Sequence, residues 1–336
     1  MHSHELPAGA YRPINCNLKL FIVSDKWVCY NLPIIHIRKR TMKYIEKHPM
    51  IMIVVGIMGI SLSAIFVKYS DAPSAVTAAF RLLWTVAFLT PVVFGKGEVR
   101  RELRELEPKL AWLSALSGLF LAVHFVLWFE SLKHTTVASS TTIVCTEVIW
   151  VCLGFCLILK GNLSGKAIAA IGVTLGGSVL IAWSDSSSGA HLYGDILALL
   201  SAIAVGAYTL IGRIVRRRVS TTVYTYLVYT ACAAILVATC LLQGVRLFGY
   251  GISAPVVGLL LSLFSTILGH SIFSWCLKYF SPAFVSASKL CEPVVAAAFA
   301  AFLFGEIPTA FQILGSILIL GGVLWYSRIE NKKSSS

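Results

Sequence analysis

The sequence predicts an all-α integral membrane protein, with ten transmembrane helices in two inverted five-helix repeats. Three observations predict it. The 336 residues are 57% hydrophobic and only 13% charged, against about 45–50% apolar and about 25% charged in a soluble domain. Apolar runs of spanning length recur from Met50 to the end. Finally, landmarks in the first half return in the second at one constant offset of 145 residues. A mean hydropathy of +0.81 excludes a water-soluble globule, a disordered chain and a disulfide scaffold.

Residues 1–49 carry scattered charges and no sustained apolar run. Asp25, Lys26, Asn31 and Pro33 interrupt the most apolar part, so it reads neither as a span nor as a signal peptide. It is either a short cytoplasmic tail or an over-extended start. Met42-Lys43-Tyr44, a short basic lead close before the first span, favours Met42 as the initiator.

Spans are expected near 50–67, 75–94, 110–131, 137–159, 166–183, 192–212, 222–243, 253–276, 282–304 and 308–327. The first repeat is then 50–183, the second 192–327, with a tail over 328–336. Tryptophan or tyrosine near several ends suits the interface. The mixed-charge run Glu98 to Glu107 reads as an amphipathic cytoplasmic linker.

The net charge of +13 sits at the ends of apolar runs, as orientation signals do, and so argues against nucleic acid. With the first span starting inside, inside segments hold twenty Lys and Arg, and outside segments hold only Lys68, Lys133 and Arg246. Both termini are therefore expected in the cytoplasm of a cell whose inner (plasma) membrane holds the chain.

The offset places Lys68 on Arg213, Leu132 on Leu277, Lys133 on Lys278, Ala138 on Ala283, Glu147 on Glu292, and Gly176-Gly177 on Gly321-Gly322. Five spans per half is odd, so the halves must enter the membrane from opposite sides. Inverted repeats of this kind build many secondary transporters.

Polar residues inside the spans are the candidate site, because charge at membrane depth is costly. Glu147 and Glu292 lie at equivalent places in spans four and nine. Lys289 lies three residues before Glu292, so a continuous helix would pair them on one face. That makes Lys289–Glu292 a structural ion pair, and leaves Glu147 as the candidate carrier of a coupling proton. Pro293 loosens span nine and suits a binding site. His124 and Trp128 share a face of span three, with Glu130 pointing elsewhere; His270, Ser274 and Trp275 sit in span eight. Arg81 and Trp84 share a face of span two, Arg81 reading first as a salt bridge to a neighbouring helix. Tyr208 is a weaker candidate. For each of these the plain alternative is a helix contact. Gly172 and Gly176, and the row Ser114, Gly118 and Ala122, read as helix-packing surfaces. Cys152 and Cys156 read as small apolar residues. No metal motif or phosphate loop is apparent, so no cofactor is expected.

These residues resemble a known family. His124 to Leu132 with Thr135 to Ser140, Gly269 to Tyr279, Cys291-Glu292-Pro293-Val294 ending in Gly305-Glu306, and Pro73 leading to Arg81 are similar to the EamA family of the drug/metabolite transporter superfamily. The resemblance implies ten spans in two repeats, a central cavity, and export of metabolites or amino acids. Leu159-Lys160-Gly161 departs from it, lacking the Gly-Glu end of the second half. Cavity-lining candidates are His124, Trp128, Glu147, His270, Trp275 and Glu292. The expected partners are the bilayer and a small solute, with the chain monomeric or a weak homodimer. A channel or an intramembrane enzyme would be the alternative classes. A topology reporter fused after Ser336 is expected to be active in the cytoplasm; activity only outside the cell would contradict an even number of spans.

Overall fold

The computed structural model describes residues 48–135, 137–185, 192–304 and 309–335. Residues 1–47, with Met42, and the Gly305-Glu306 pair lie outside them. The described residues form helices and connections, and no strand occurs among them. In order they are α1 Pro49–Ser61, α2 Ser63–Val67, α3 Ser74–Gly95, α4 Gly97–Arg104, α5 Pro108–His134, α6 Val137–Cys145, α7 Glu147–Leu157 and α8 Gly165–Asp185. The second half holds α9 Leu192–Val215, α10 Thr221–Leu242, α11 Ser253–Leu260, a π-helix Leu261–His270, α12 Ser271–Cys276, α13 Pro282–Lys289, α14 Glu292–Phe304 and α15 Ala310–Ser335. The last helix runs on through the stretch that the sequence suggests is a tail.

Eight helical stretches among the described residues are long and apolar enough to cross a membrane: 49–67, 74–95, 108–134, 140–157, 192–215, 221–242, 253–276 and 310–330. Two of the ten expected spans fall short of that measure. The apolar part of α8 covers only Gly165–Leu180. Span nine is divided by a turn at Leu290 and Cys291 into α13 and α14, of 8 and 13 residues.

Local sequence explains the breaks and starts. Pro49, Pro108 and Pro282 begin helices, where a missing N–H costs nothing. Ser220 and Ser281 cap α10 and α13 by accepting from Val223 and Phe284 N–H. The linker helix α4 is amphipathic as expected, and Glu102 accepts from the Ser220 N–H at 2.6 Å.

Packing follows the 145-residue offset. α1 packs on the π-helix, and its counterpart α9 packs on α5. α5 packs on α10, and α11 on α3; α9 packs on α7, and α1 on α14. The helix pairs α3–α10 and α8–α15 each join a helix to its own counterpart, and the α7–α13 contact has its counterpart in α6 with α14. The α8–α15 contact is reciprocal residue by residue. A Cβ added to Gly177 would lie 2.7 Å from the Gly315 carbonyl oxygen and 2.8 Å from Ile319. One added to Gly322 would lie 3.0 Å from the Ala170 carbonyl oxygen and 2.2 Å from Thr174 Oγ1. Those partners are themselves 145 apart, which is the contact pattern a two-fold axis generates.

The small-residue rows divide. Gly118 closes α5 onto α10, where a Cβ would meet the Val228 carbonyl oxygen at 2.5 Å. Gly172 and Gly176 instead have no neighbour within 4 Å of an added Cβ, so it is Gly177 that packs α8. The reason is angular: one residue further on is about 100° around the helix. Hydroxyl pairs add directional bonds, Tyr224 to Ser117 at 2.8 Å and Tyr208 to Ser274 at 2.8 Å. Gly177→Val is expected to cost about 1–3 kcal/mol through overpacking, read as a lower unfolding temperature in detergent, whereas Gly176→Ala should leave that temperature unchanged.

Candidate functional site: a cavity at the broken helices

The two carboxylates singled out in the sequence start helices rather than lying mid-helix. The break at Thr146 ends α6 and makes Glu147 the first residue of α7; the turn at Leu290 and Cys291 ends α13 and makes Glu292 the first residue of α14. The chain tightens at both breaks through bonds to the third residue back. Thr146 N–H donates to Ile143 O at 3.0 Å, and Cys291 N–H donates to Ser288 O at 3.2 Å. A helix N-terminus favours a negative group, so both positions suit a carboxylate. Non-helical backbone at membrane depth is tolerated where it is buried or lines a cavity.

A cavity of about 40 Å³ lies beside these breaks. His124 and Trp128 from α5, Glu147, His270, Lys289 and Glu292 line it, with Ser63, Thr141, Ser265 and Phe273. Five of the six expected cavity residues therefore meet at one place. Trp275 does not join them. Its ring centroid lies 4.4 Å from that of Tyr279 instead. Five residues past His270 is about 140° around a helix, and Phe273, the offset partner of Trp128, lines the wall in its stead.

The ion pair also differs from the expectation. Lys289 Nζ donates to Glu147 Oε1 at 2.8 Å, across the two halves, and Glu147 is only 3% exposed. The Lys289–Glu292 pairing assumed an unbroken helix, and the turn between them removes that shared face. It follows that Glu147 has a cation beside it after all. The Glu292 carboxylate has no ion pair or hydrogen bond among the described residues, although its carbonyl accepts from Ser61 Oγ at 3.4 Å. Lys289 also stands 5.5 Å over the Phe273 ring.

Histidines form the facing wall. The His124 ring stacks on Trp128 at 5.9 Å between centroids, 10° from parallel, and its Nδ1 lies 2.7 Å from Ser201 Oγ. His270 meets His124 edge-on at 6.3 Å. The sequence offset assigns His124 to Gly269 rather than His270; the π-helix ending at His270 has wider turns that accommodate such a one-residue difference. Trp128 Nε1, His270 Nδ1 and Thr141 Oγ1 are buried without a hydrogen-bond partner among the described residues. Native structures rarely leave such atoms unsatisfied, so these are the groups of the wall that a water or a polar molecule would bond.

Arg81 is fully buried, and no carboxylate lies within ion-pair distance of it among the described residues. Hydroxyls serve instead of the expected salt bridge. It donates to Thr266 Oγ1 at 2.7 Å, Ser265 Oγ at 3.1 Å and Ser63 Oγ at 3.5 Å, and stands 4.1 Å over Phe125. Trp84 is partly exposed and donates to Pro255 O. Glu130 points away from the cavity to Ser74, Lys133 and His134. Sequence reasoning missed Ser63, Thr141, Ser201, Ser265 and Thr266, whose hydroxyls carry no pattern of their own; Phe273 was reachable through the offset. No metal-holding group occurs among the described residues.

The profile of the EamA-like transporter family matches the chain twice, at residues 48–183 and 192–328. The chain belongs to the EamA-like transporter family. It is therefore a multi-pass membrane transporter built of two EamA repeats. It is 26% identical over 287 residues to a probable amino-acid metabolite efflux pump of Salmonella typhimurium, covering 81% of this chain and 91% of that protein. It is 22% identical over 213 residues to an uncharacterized transporter of Archaeoglobus fulgidus, covering 62% and 72%. A solved crystal structure superposes with a TM-score of 0.70 at 18% identity, over 85% of this chain and 98% of that one, which establishes likeness of fold.

Glu147→Gln is expected to destabilise the protein by about 3–5 kcal/mol, because it leaves a buried ammonium unpaired. Glu292→Gln should unfold near the wild-type temperature. Thermal unfolding of the two variants in detergent separates these outcomes, and Glu147→Gln combined with Lys289→Met should recover most of the loss.

Proposed function

We propose that this protein is a secondary carrier that exports small amino-acid-like metabolites across the plasma membrane by alternating access to the cavity between its repeats. The observation that carries the reading is the cavity itself. Both repeats wall it, an ion pair joins them across it, and among the described residues the Glu292 carboxylate and buried polar atoms of the lining residues Trp128, Thr141 and His270 have no hydrogen-bond partner. The Salmonella typhimurium relative, a probable amino-acid metabolite efflux pump, supports the solute class.

Ten spans complete the reading. α8 and the broken α13–α14 unit supply the two crossings beyond the eight long helices. Five per half places the halves in opposite orientations, and the charge bias puts both termini in the cytoplasm. The unit functions as a monomer or weak homodimer.

Within the cavity, Glu292 is the group open to a cation, either the amino group of a solute or a coupling proton. Lys289, Glu147, His124 and His270 are the other charged or titratable groups that line the cavity. Glu147, the coupling candidate by sequence, is instead assigned to holding Lys289. Trp128 Nε1–H is a donor suited to a solute carboxylate, and Phe273 and Ile60 suit an apolar part. At about 40 Å³ the cavity has room for a few waters, so a solute must enter as the halves move apart.

Counterflow into liposomes with a panel of labelled amino acids and simple amines tests this. Saturable counterflow is expected for at least one solute, with Glu292→Gln reducing it at least tenfold. Ohmic current without saturation would make the protein a channel, and product formation an enzyme.

A further inference from the structure

The two ends of the molecule can be compared through the 145-residue offset. α5 and α9 run antiparallel, as three contacts along their length establish: Gly194 against His134, Ser201 against His124, and Ser117 against Tyr208 O. The end of α9 therefore lies far from the end of α5.

At the α9 end, two arginines hold backbone carbonyls. Arg213 Nη1 donates to Leu277 O and, at 3.2 Å, to Phe280 O. Arg216 Nε donates to Ser274 O at 3.0 Å, and its Nη1 donates to Val219 O. The last carbonyls of a helix lack intrahelical donors, and α12 ends at Cys276 with the turn to α13 following. The two cations thus tie the first helix of the second repeat to the end of its third crossing.

The α5 end carries the matching residues without the clamp. Lys68 replaces Arg213, Leu132 and Thr135 replace Leu277 and Phe280, and Asp71 replaces Arg216. The Lys68 ammonium makes no hydrogen bond or ion pair among the described residues, and the Lys68 backbone N–H donates to Phe66 O. It lines, with Ser70, Thr77, Leu132 and Lys133, a cavity of about 220 Å³.

We propose that these are the two gates of the carrier, closed in alternation: Arg213 on the Leu277 and Phe280 carbonyls at one end, Lys68 on the Leu132 and Thr135 carbonyls at the other. The proposal rests on the alternating-access reading above. Related halves exchange their local arrangements as the carrier turns over, so the space beside Lys68 is the open counterpart of the Arg213 clamp. When that end closes, the Lys68 ammonium takes the carbonyls and Arg213 releases its own. Asp71 in place of Arg216 leaves the Lys68 gate one cation instead of two. The arginine gate is therefore the more stable when closed, and the charge bias puts it on the cytoplasmic side.

Hydrogen exchange of the full chain in lipid nanodiscs, read by mass spectrometry, tests the coupling. Lys68→Arg strengthens one gate, so exchange should slow across 131–135 and quicken across 274–281, each by roughly tenfold for one charge-assisted bond. Arg213→Gln should shift the same two segments in the same senses, and Arg213→Lys, which keeps a donor and guards against a folding failure, by less. A damaged fold would quicken both segments together; that result, or no change at either, overturns the proposal. Wild-type counterflow with no reciprocal shift removes the gates and leaves the carrier. A reciprocal shift without counterflow of any panel solute keeps the two-state gates and removes the carrier reading.

Discussion

A buried ammonium and a buried carboxylate, 2.8 Å apart, join the two repeats at the centre of the molecule. Either charge alone would be costly at membrane depth, and each offsets the other's cost. The rest of the centre is arranged around that requirement. Lys289 reaches Glu147 from the last turn of α13, where a cation suits the helix C-terminus, and Glu147 accepts it at the first turn of α7, where an anion suits the N-terminus. Both helix ends exist only because spans four and nine are interrupted. The interruptions are thus part of how the charges are held, and they open the wall that Glu292 and the unpaired polar atoms face.

The repeats are alike in packing and unlike in charge. Reciprocal contacts such as Gly177 with Ile319 and Gly322 with Thr174 require matched shapes, and the offset supplies them. The position equivalent to Lys289 is Val144, so the first half places no cation there to return to Glu292. That difference leaves one carboxylate occupied and the other open. The same imbalance recurs at the ends, where Arg213 and Arg216 correspond to Lys68 and Asp71. On the proposed alternating-access reading, a symmetric backbone carrying asymmetric charges gives two related states of unequal stability, so that the carrier rests in one and passes through the other.

The membrane class, the two-repeat construction and the family were legible in the sequence, because they depend on run length, composition and offset. A run of about 20 apolar residues has few alternatives in a bilayer, whose core forbids unpaired backbone groups. Five cavity residues were also legible, since His124, Trp128, Glu147, His270 and Glu292 are polar or amphipathic where lipid-facing residues are not. The tertiary structure alone decided the pairing. Lys289 and Glu292 are neighbours in the chain, and only the turn at Leu290 and Cys291 sends the lysine across to Glu147. Likewise Trp275 yields to Phe273, and Arg81 takes three hydroxyls in place of a carboxylate. Sequence spacing assumes a continuous helix and names the face; where a helix breaks or widens, the direction of each side chain is set by what packs against it.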